Sequence, residues 1–204
     1  MSMLRRYIPL LLASMLLASC VSLPGQPGEQ PRLYRLDAVL AGKAAVAKRD
    51  LVLAVSLPQA QPGADSAAMG YVQQAHQVEC FTSSRWADTP ARMLEPLLLQ
   101  ALSQAGGFRA VVSNVGAVAA DYRLDSEWLR LQQEFGQQPS RMHLTLRVQL
   151  VNLKTRQVVA SQEIDEVEPA ASENAYGGVM AANRAMQRVL GRVVEFCAAN
   201  AAAR

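Results

Sequence analysis

The segment Met142–Leu150 has the sequence MHLTLRVQL and decides the fold. Its apolar residues alternate one for one with polar residues, which predicts a strand with one buried and one solvated face. A turn over Asn152–Arg156 leads into a second extended stretch, Gln157–Val167. Together the two stretches predict an antiparallel hairpin.

Upstream of the hairpin, further extended segments are separated by turn signals. Asp121–Glu134 is long, and its apolar phase changes near Ser126–Trp128, which predicts a β-bulge there. Asp50–Leu57 is dominated by aliphatic residues and suits a strand buried on both faces. Other strands are expected at Arg32–Leu36, Met69–Gln74, His76–Ser83 and Phe108–Val112, with a Pro/Gly loop over Gln59–Asp65.

Two helices complete the prediction. Pro90–Ala105 places its leucines and alanines on one stripe, with Asp88 or Thr89 as the cap, and Gly106-Gly107 ends it. Gly178–Ala199 carries a second apolar face, with Ser172 or Asn174 as its cap. The expected architecture is α+β: a mostly antiparallel or mixed sheet with two long helices packed on it.

Composition excludes several classes of protein. The chain has 204 residues, 50% hydrophobic residues and a net charge of +3. These values exclude a disordered tail and a collagen, and the small charge does not favour nucleic-acid binding. No second apolar run of about 18 residues follows the N-terminus, so a protein with several membrane spans is excluded.

The N-terminus predicts a lipoprotein signal peptide over residues 1–19. Arg5 and Arg6 precede a short apolar run, and Leu17-Ala18-Ser19-Cys20 matches the bacterial lipobox. That match implies a diacylglycerol on the Cys20 sulfur and an acyl group on its new amine, which together anchor stably. The alternative is an ordinary secretory signal with a chance cysteine. Val21, where aspartate would favour the inner membrane, indicates the outer membrane.

Residues 20–31 form the lipidated cysteine and a Pro/Gly-rich tether, and residues 32–204 form a single domain. The eleven residues after Cys20 reach roughly 35 Å when extended. Removing the signal peptide takes Arg5 and Arg6 away and lowers the side-chain charge from +3 to +1. The domain is therefore expected to choose partners by shape and tethering more than by charge.

No residue pattern indicates catalysis. Both histidines, His76 and His143, lie in strand contexts; His143, on the polar face of its strand, is expected to be solvated, and no cysteine–histidine cluster has metal spacing. Neither a nucleophile elbow nor a phosphate loop is present. Gly177-Gly178 could bind an anion at a helix start, although a tight turn is favoured. We expect no enzyme activity, no metal and no cofactor beyond the lipid on Cys20.

Three groups of residues leave alternatives open. Cys80 and Cys197 could form a disulfide in an oxidising compartment, or each could be a small buried residue. Arg184, Arg188 and Arg192 recur every fourth residue; a contact for lipid headgroups or an acidic partner is one interpretation, and a solvated helix face is the favoured one. Trp86 and Trp128 could anchor a partner or pack in the core.

Three motifs, taken together with the lipobox, resemble a known family. They are Tyr34-Arg35-Leu36; Arg85-Trp86-Ala87-Asp88-Thr89-Pro90 leading into Met93-Leu94 and then Gly107-Phe108-Arg109-Ala110-Val111; and Tyr176-Gly177-Gly178-Val179 followed by Ala181-Ala182-Asn183-Arg184-Ala185. In this order they resemble the ABC-type transport auxiliary lipoproteins, which include the paraquat-inducible protein C lipoproteins.

The resemblance implies a function as well as a fold. Such lipoproteins face the periplasm from the outer membrane and work with an MCE-domain protein and an inner-membrane ABC permease and ATPase. These systems are thought to move phospholipids or other hydrophobic molecules between the membranes. The implied fold is similar to the N-terminal domain of TolB-type proteins. The sequence does not decide whether the protein forms a homo-oligomer. The alternative is an outer-membrane assembly lipoprotein that serves lipopolysaccharide or a β-barrel.

Overall fold

The computed structural model describes residues 30–42, 46–61, 64–113 and 119–201. The folded unit begins at Pro31. Its strands are β1 (Arg32–Tyr34), β2 (Arg49–Val55), β3 (Gln59–Ala60), β4 (Ala68–Val72), β5 (Val78–Trp86), β6 (Phe108–Ser113), β7 (Tyr122–Glu134), β8 (Arg141–Asn152) and β9 (Gln157–Pro169). Its helices are α1 (Pro90–Ala105) and α2 (Ala175–Asn200).

Strand β7 organises the sheet. On one side it pairs antiparallel with β8 along its whole length, and β8 pairs antiparallel with β9, as the hairpin prediction requires. On its other side three short strands, β2, β3 and β4, pair parallel with successive parts of β7. The β7–β8 register shifts between Trp128 and Arg130, close to the predicted bulge. The sheet is therefore mixed, and β7 can serve four partners because of its 13-residue length.

Two further branches complete the sheet. Strand β6 extends it beyond β2 in parallel, and the β4–β5 hairpin carries β1 on its outer edge, also in parallel. The outermost strands along the path β1-β5-β4-β7-β8-β9 are thus β1 and β9. These two edges carry different side chains, and this difference matters for the surfaces described below.

Both helices pack on one face of the sheet. Helix α2 contacts β8 and β9, and α1 contacts β6 and β2. The alternating residues of β8, from Met142 to Leu150, are at most 2% exposed and meet the apolar stripe of α2, in which Met186 and Val189 are fully buried. The opposite face of β8 carries its polar residues, as the period of two dictates. One continuous core lies between the sheet and the helices.

Several boundaries differ from the sequence prediction. Strand β1 ends at Tyr34 rather than Leu36, and residues 35–40 continue without strand pairing while Leu36, Ala38 and Leu40 insert into the core. Strand β3 lies inside the predicted loop. His76 lies in the β4–β5 turn at φ 68°, a conformation that histidine tolerates, and not in a strand.

The helix ends follow local chemistry. Pro90 occupies the first turn of α1 as predicted, but Thr89 makes no side-chain cap, and the Asp88 carboxylate instead accepts the Thr89 N–H at 2.7 Å. Gly106 closes α1 at φ 68°. Helix α2 starts at Ala175, three residues earlier than predicted, because the Asn174 side chain accepts the Gly177 N–H.

Candidate functional site

Cys20, the predicted site of lipid attachment, lies outside the described residues, as do the signal peptide and most of the tether. The described chain enters the domain at β1, so the tether arrives at that edge of the sheet. Within the described ranges, no helix is both long and apolar enough to cross a bilayer.

The three arginines of α2 form a ladder with two glutamates of β9. Arg184 Nε lies 2.6 Å from Glu168, and Arg192 Nη1 lies 3.1 Å from Glu166. Arg188 lies between them, with Nε 2.7 Å from Glu166 and Nη1 2.8 Å from Glu168. The glutamate side chains are only 15% and 17% exposed. Each arginine therefore has an acidic partner within the chain, although three arginines share two glutamates and their side chains stay partly exposed.

The ladder changes the ionisation of its members. Burial raises the pKa of Glu168, but the hydrogen bonds and attraction of Arg184 and Arg188 together outweigh it, so this pKa lies below its ordinary value. The hydrogen bond to Glu166 raises the pKa of Arg188. Both shifts favour the charged pair.

The ladder also covers the edge of the sheet. Arg184 Nη2 donates to the Pro169 carbonyl at 2.9 Å, and Arg192 Nη1 donates to the Asp165 carbonyl at 3.3 Å. These carbonyls belong to β9, an outermost strand of the described sheet. An edge strand with unpaired carbonyls can pair with another chain, so the arginines of α2 help to protect the end of β9 from such pairing.

The solvent face of the hairpin carries a second charged network. The Arg123 guanidinium holds both carboxylate oxygens of Asp125 at 2.7 Å. Arg147 bridges Glu127 at 2.9 Å and Glu163 at 2.7 Å. Arg123, Asp125, Glu127 and Arg147, with the loop that follows β2, line a cavity of about 540 Å³. The charged residues of this lining are already paired, Arg123 with Asp125 within β7 and Arg147 with Glu127 across strands, so none of them awaits a ligand.

His143 lies farther along the same face. Its ring nitrogens are each 3.0 Å from a carboxylate oxygen, Nδ1 from Glu134 and Nε2 from Asp165. The hydrogen bond from Thr145 and then the contacts with His143 lower the pKa of Asp165. The His143 side chain is 15% exposed, so it joins three strands rather than being freely solvated as predicted. Within the described ranges, no group of His, Cys, Asp or Glu side chains could hold a metal ion.

The tryptophans and cysteines take structural positions. Trp86 and Trp128 are 2% and 1% exposed, so the core-packing interpretation holds, and a partner could not reach Trp86 in this structure. Cys80 and Cys197 are free thiols, which contradicts the disulfide interpretation. Cys80 is exposed on β5, whereas Cys197 is buried in α2, and burial raises the pKa of its thiol to about 12.

Gly177 and Gly178 provide close packing and not an anion site. The Gly177 N–H donates to the Asn174 side chain at 2.9 Å, and the Gly178 N–H donates to the Asn174 carbonyl at 3.1 Å. A Cβ on Gly177 would collide with the Ser172 carbonyl, and one on Gly178 would collide with the buried amide of Gln133. The first turn of α2 can reach the sheet only because these residues lack side chains.

A third surface surrounds the point where the tether enters. Leu33 of β1 is 66% exposed, and Tyr176 and Met180 on one face of α2 are 57% and 42% exposed. The ring of Tyr34 lies 6.3 Å from that of Tyr176. Sequence analysis did not identify this surface, although Tyr34 and Tyr176 belong to the motifs that carry the family resemblance.

Solved structures share this fold. A Xanthomonas campestris protein of the DUF330 family is 20% identical, with a TM-score of 0.76, covering 83% of this chain and 96% of that one. The hypothetical protein CT253 from Chlamydia trachomatis is 10% identical, with a TM-score of 0.53, covering 74% and 98%. A comparison with curated protein sequences found no significant match.

A family model provides the assignment. The model of the ABC-type transport auxiliary lipoprotein component matches residues 34–194. That range runs from the last residue of β1 into the final third of α2 and so includes every strand from β2 to β9. The match therefore covers the domain and not one motif. The chain belongs to the ABC-type transport auxiliary lipoprotein family.

Proposed function

We propose that this protein is an outer-membrane lipoprotein that serves as a non-catalytic accessory of an MCE/ABC-type transport system. Acyl chains on Cys20 hold it in the inner leaflet of the outer membrane, and its domain faces the periplasm. There it docks an MCE-domain protein that works with an inner-membrane permease and ATPase. The system moves phospholipids or other hydrophobic molecules between the two membranes.

The observation that carries this proposal is the family match over residues 34–194, joined to a lipobox that ends at Cys20. The non-catalytic part is supported by the polar residues of the sheet face, such as Arg123, Asp125 and Arg147, which are paired with one another. A general acid, a general base or a nucleophile needs a group available to substrate, and the pairing of these side chains with one another supports a role other than catalysis.

Two variants test the anchor. Cys20→Ser removes the predicted acceptor of the lipid, whereas Cys80→Ser removes an exposed thiol of the domain and serves as the matched control. We expect wild type and Cys80→Ser to sediment with outer-membrane fractions and to carry the mass of the acyl groups. Cys20→Ser should lack that acyl mass. A Cys20→Ser protein that keeps its acyl mass would contradict the anchor.

Co-purification tests the partner. The lipidated protein, extracted in mild detergent and captured by a C-terminal tag, should bring down an MCE-domain protein, with the permease and ATPase in smaller amounts. Deletion of the gene should raise outer-membrane permeability. Recovery of a β-barrel or of lipopolysaccharide-assembly proteins in place of the MCE protein would favour the assembly function instead.

A further inference from the structure

The β1 and β9 edges of the sheet differ in chemistry. Edge strand β9 carries four carboxylates: Glu163, Glu166 and Glu168 pair with arginines, and Asp165 contacts the His143 ring, while Val158, Val159 and Val167 of the same strand are exposed. The β1 edge is apolar and aromatic. We call it the tether edge and define it by Leu33 and Tyr34 of β1 with Tyr176 and Met180 of α2.

The tether edge is held in place by backbone contacts. Asn183 of α2 accepts the Asp37 N–H at 2.8 Å and donates to the Arg35 carbonyl at 3.3 Å. These bonds fix the segment that follows β1 against the helix face bearing Tyr176 and Met180, which lie one turn apart. Tyr34 lies on the helix side of β1 and Leu33 on the opposite side, because neighbouring side chains of a strand alternate, so the exposed apolar side chains flank the β1 edge on both sides.

Unpaired cations surround this surface. Arg32, Arg35 and Arg85 are exposed, and within the described ranges none of their guanidinium groups forms an ion pair. Arg85 lies beside Leu33 in the β1–β5 register. The acidic residues nearest in sequence are Asp37 and Asp88, so one positive charge is left over. Tyrosine, aliphatic and arginine side chains together are the composition of surfaces that lie at a membrane interface.

We propose that the tether edge lies on the surface of the leaflet that holds the acyl anchor, with Leu33, Tyr176 and Met180 in the headgroup region. The inference rests on the anchor at Cys20 in the proposed function. Arg32, the first residue of β1, follows the tether directly, so this edge stays within roughly 35 Å of the acylated cysteine. A short flexible tether gives an effective concentration in the millimolar range, at which even a weak patch binds.

The size of the patch favours a lipid surface over a protein. Leu33, Tyr176 and Met180 are 66%, 57% and 42% exposed. Because a large side chain has roughly 200 Å² of accessible surface, the apolar surface that these three residues expose is about 300 Å². A stable protein interface buries about 800 Å² on each partner. A bilayer accepts a small patch because it adapts its shape, and the anchor already supplies most of the affinity.

The orientation can be measured with one probe on each edge. In the lipidated protein with Cys80→Ser, an environment-sensitive fluorophore is placed at Met180→Cys on the tether edge, and separately at Val159→Cys on β9. The native side chains are matched, at 42% and 44% exposed. Arg184, one turn after Met180, contacts Glu168 near the end of β9, whereas Val159 lies nine residues earlier on that strand, about 30 Å away along it. Cys197 is buried and does not compete for the label.

The protein is reconstituted into phosphatidylethanolamine–phosphatidylglycerol vesicles, with and without bromine near the glycerol end of the acyl chains. We expect the Met180→Cys probe to shift to the blue and to be quenched several-fold more by bromine than the Val159→Cys probe. Tyr176→Ser should reduce both effects at Met180→Cys. Equal quenching at the two positions would overturn the inference.

Two further outcomes separate the alternatives. If the protein lacks acyl mass and fails to float with vesicles, the anchor is wrong and the inference falls with it. If the protein floats but Met180→Cys is not quenched, the inference alone is overturned. A blue shift that persists in detergent and grows with protein concentration would identify a second copy as the occupant and would also refute it.

Discussion

Removing the central arginine of the ladder tests how α2 is fastened to β9. Arg188→Met keeps most of the side-chain length and deletes the contacts at 2.7 Å to Glu166 and 2.8 Å to Glu168. Each carboxylate keeps one partner, because Arg192 still reaches Glu166 and Arg184 still reaches Glu168. The substitution therefore weakens the ladder without leaving a bare buried charge.

The loss of stability expected for Arg188→Met follows from how exposed the paired side chains are. Exposed ion pairs contribute about 0.2–1 kcal/mol, whereas breaking a buried pair costs about 3–5 kcal/mol. Here the glutamates are 15% and 17% exposed but Arg188 is 43% exposed, so solvent screens part of the attraction. We expect a loss of about 1–2 kcal/mol near neutral pH, which lowers the Tm by about 3–6 °C for a domain of this size.

The loss should depend on pH. The pKa of Glu168 is lower in the folded state than the ordinary value of 4.5. A lowered folded pKa adds stability above the unfolded pKa, and this stability disappears as the pH falls through the folded pKa. The difference between wild type and Arg188→Met is therefore complete near neutral pH and shrinks as the pH is lowered below 4.5.

Urea unfolding followed by far-ultraviolet circular dichroism measures both effects, near pH 7 and near pH 3. Arg92→Met on α1 is the matched control, since Arg92 is exposed and has no ion pair within the described ranges. If Arg188→Met costs no more than Arg92→Met, or if its cost is the same at both pH values, the ladder does not fasten the helix.

Three more predictions concern packing. Gly178→Ala should lower the free energy of unfolding by about 1–3 kcal/mol because the new Cβ would collide with the Gln133 amide. Gly191→Ala, whose Cβ would have nothing within 4 Å, should raise that free energy by about 0.5–1 kcal/mol. Urea midpoints that moved equally in the two variants would contradict the close packing at Gly178. In the native domain Cys80 should react with Ellman's reagent, whereas Cys197 should react only after unfolding in urea. If neither thiol reacted in urea until a reductant was added, the disulfide between them would be supported instead. Trp86→Ala should lower the free energy of unfolding by about 3–5 kcal/mol, and a calorimetric Tm equal to wild type would contradict its burial.

Local patterns predicted much of the fold. The period of two over Met142–Leu150 and the apolar stripe over Pro90–Ala105 placed a strand and a helix close to where the structure has them. The change of phase in β7 located the bulge. These predictions succeeded because side-chain alternation and helix periodicity depend on neighbours within a few residues.

Contacts between distant elements were beyond such patterns. The ladder joins Arg184 and Arg188 to glutamates 16 and 22 residues away, so the charged stripe on α2 looked solvated until β9 was placed beside it. For Trp86 and Trp128 the sequence left partner contact and core packing open, because burial depends on which elements pack against each strand. His143 was predicted to be solvated because the sequence of β8 places it on the polar face of that strand. The sequence does not reveal that Glu134 of β7 and Asp165 of β9 lie beside it on that face.

The sequence by itself determined the α+β class, the helix stop at Gly106 and the family resemblance, and it alone carries the prediction of an acyl anchor at Cys20. Those features depend on residue order over short distances. Only the tertiary structure decided that the arginines of α2 cover β9 and that Tyr176 of α2 lies against Tyr34 at the β1 edge. The ladder joins residues 16 and 22 positions apart, and the contacts between β1 and α2 join residues more than a hundred positions apart, so only sheet pairing and helix packing bring them together.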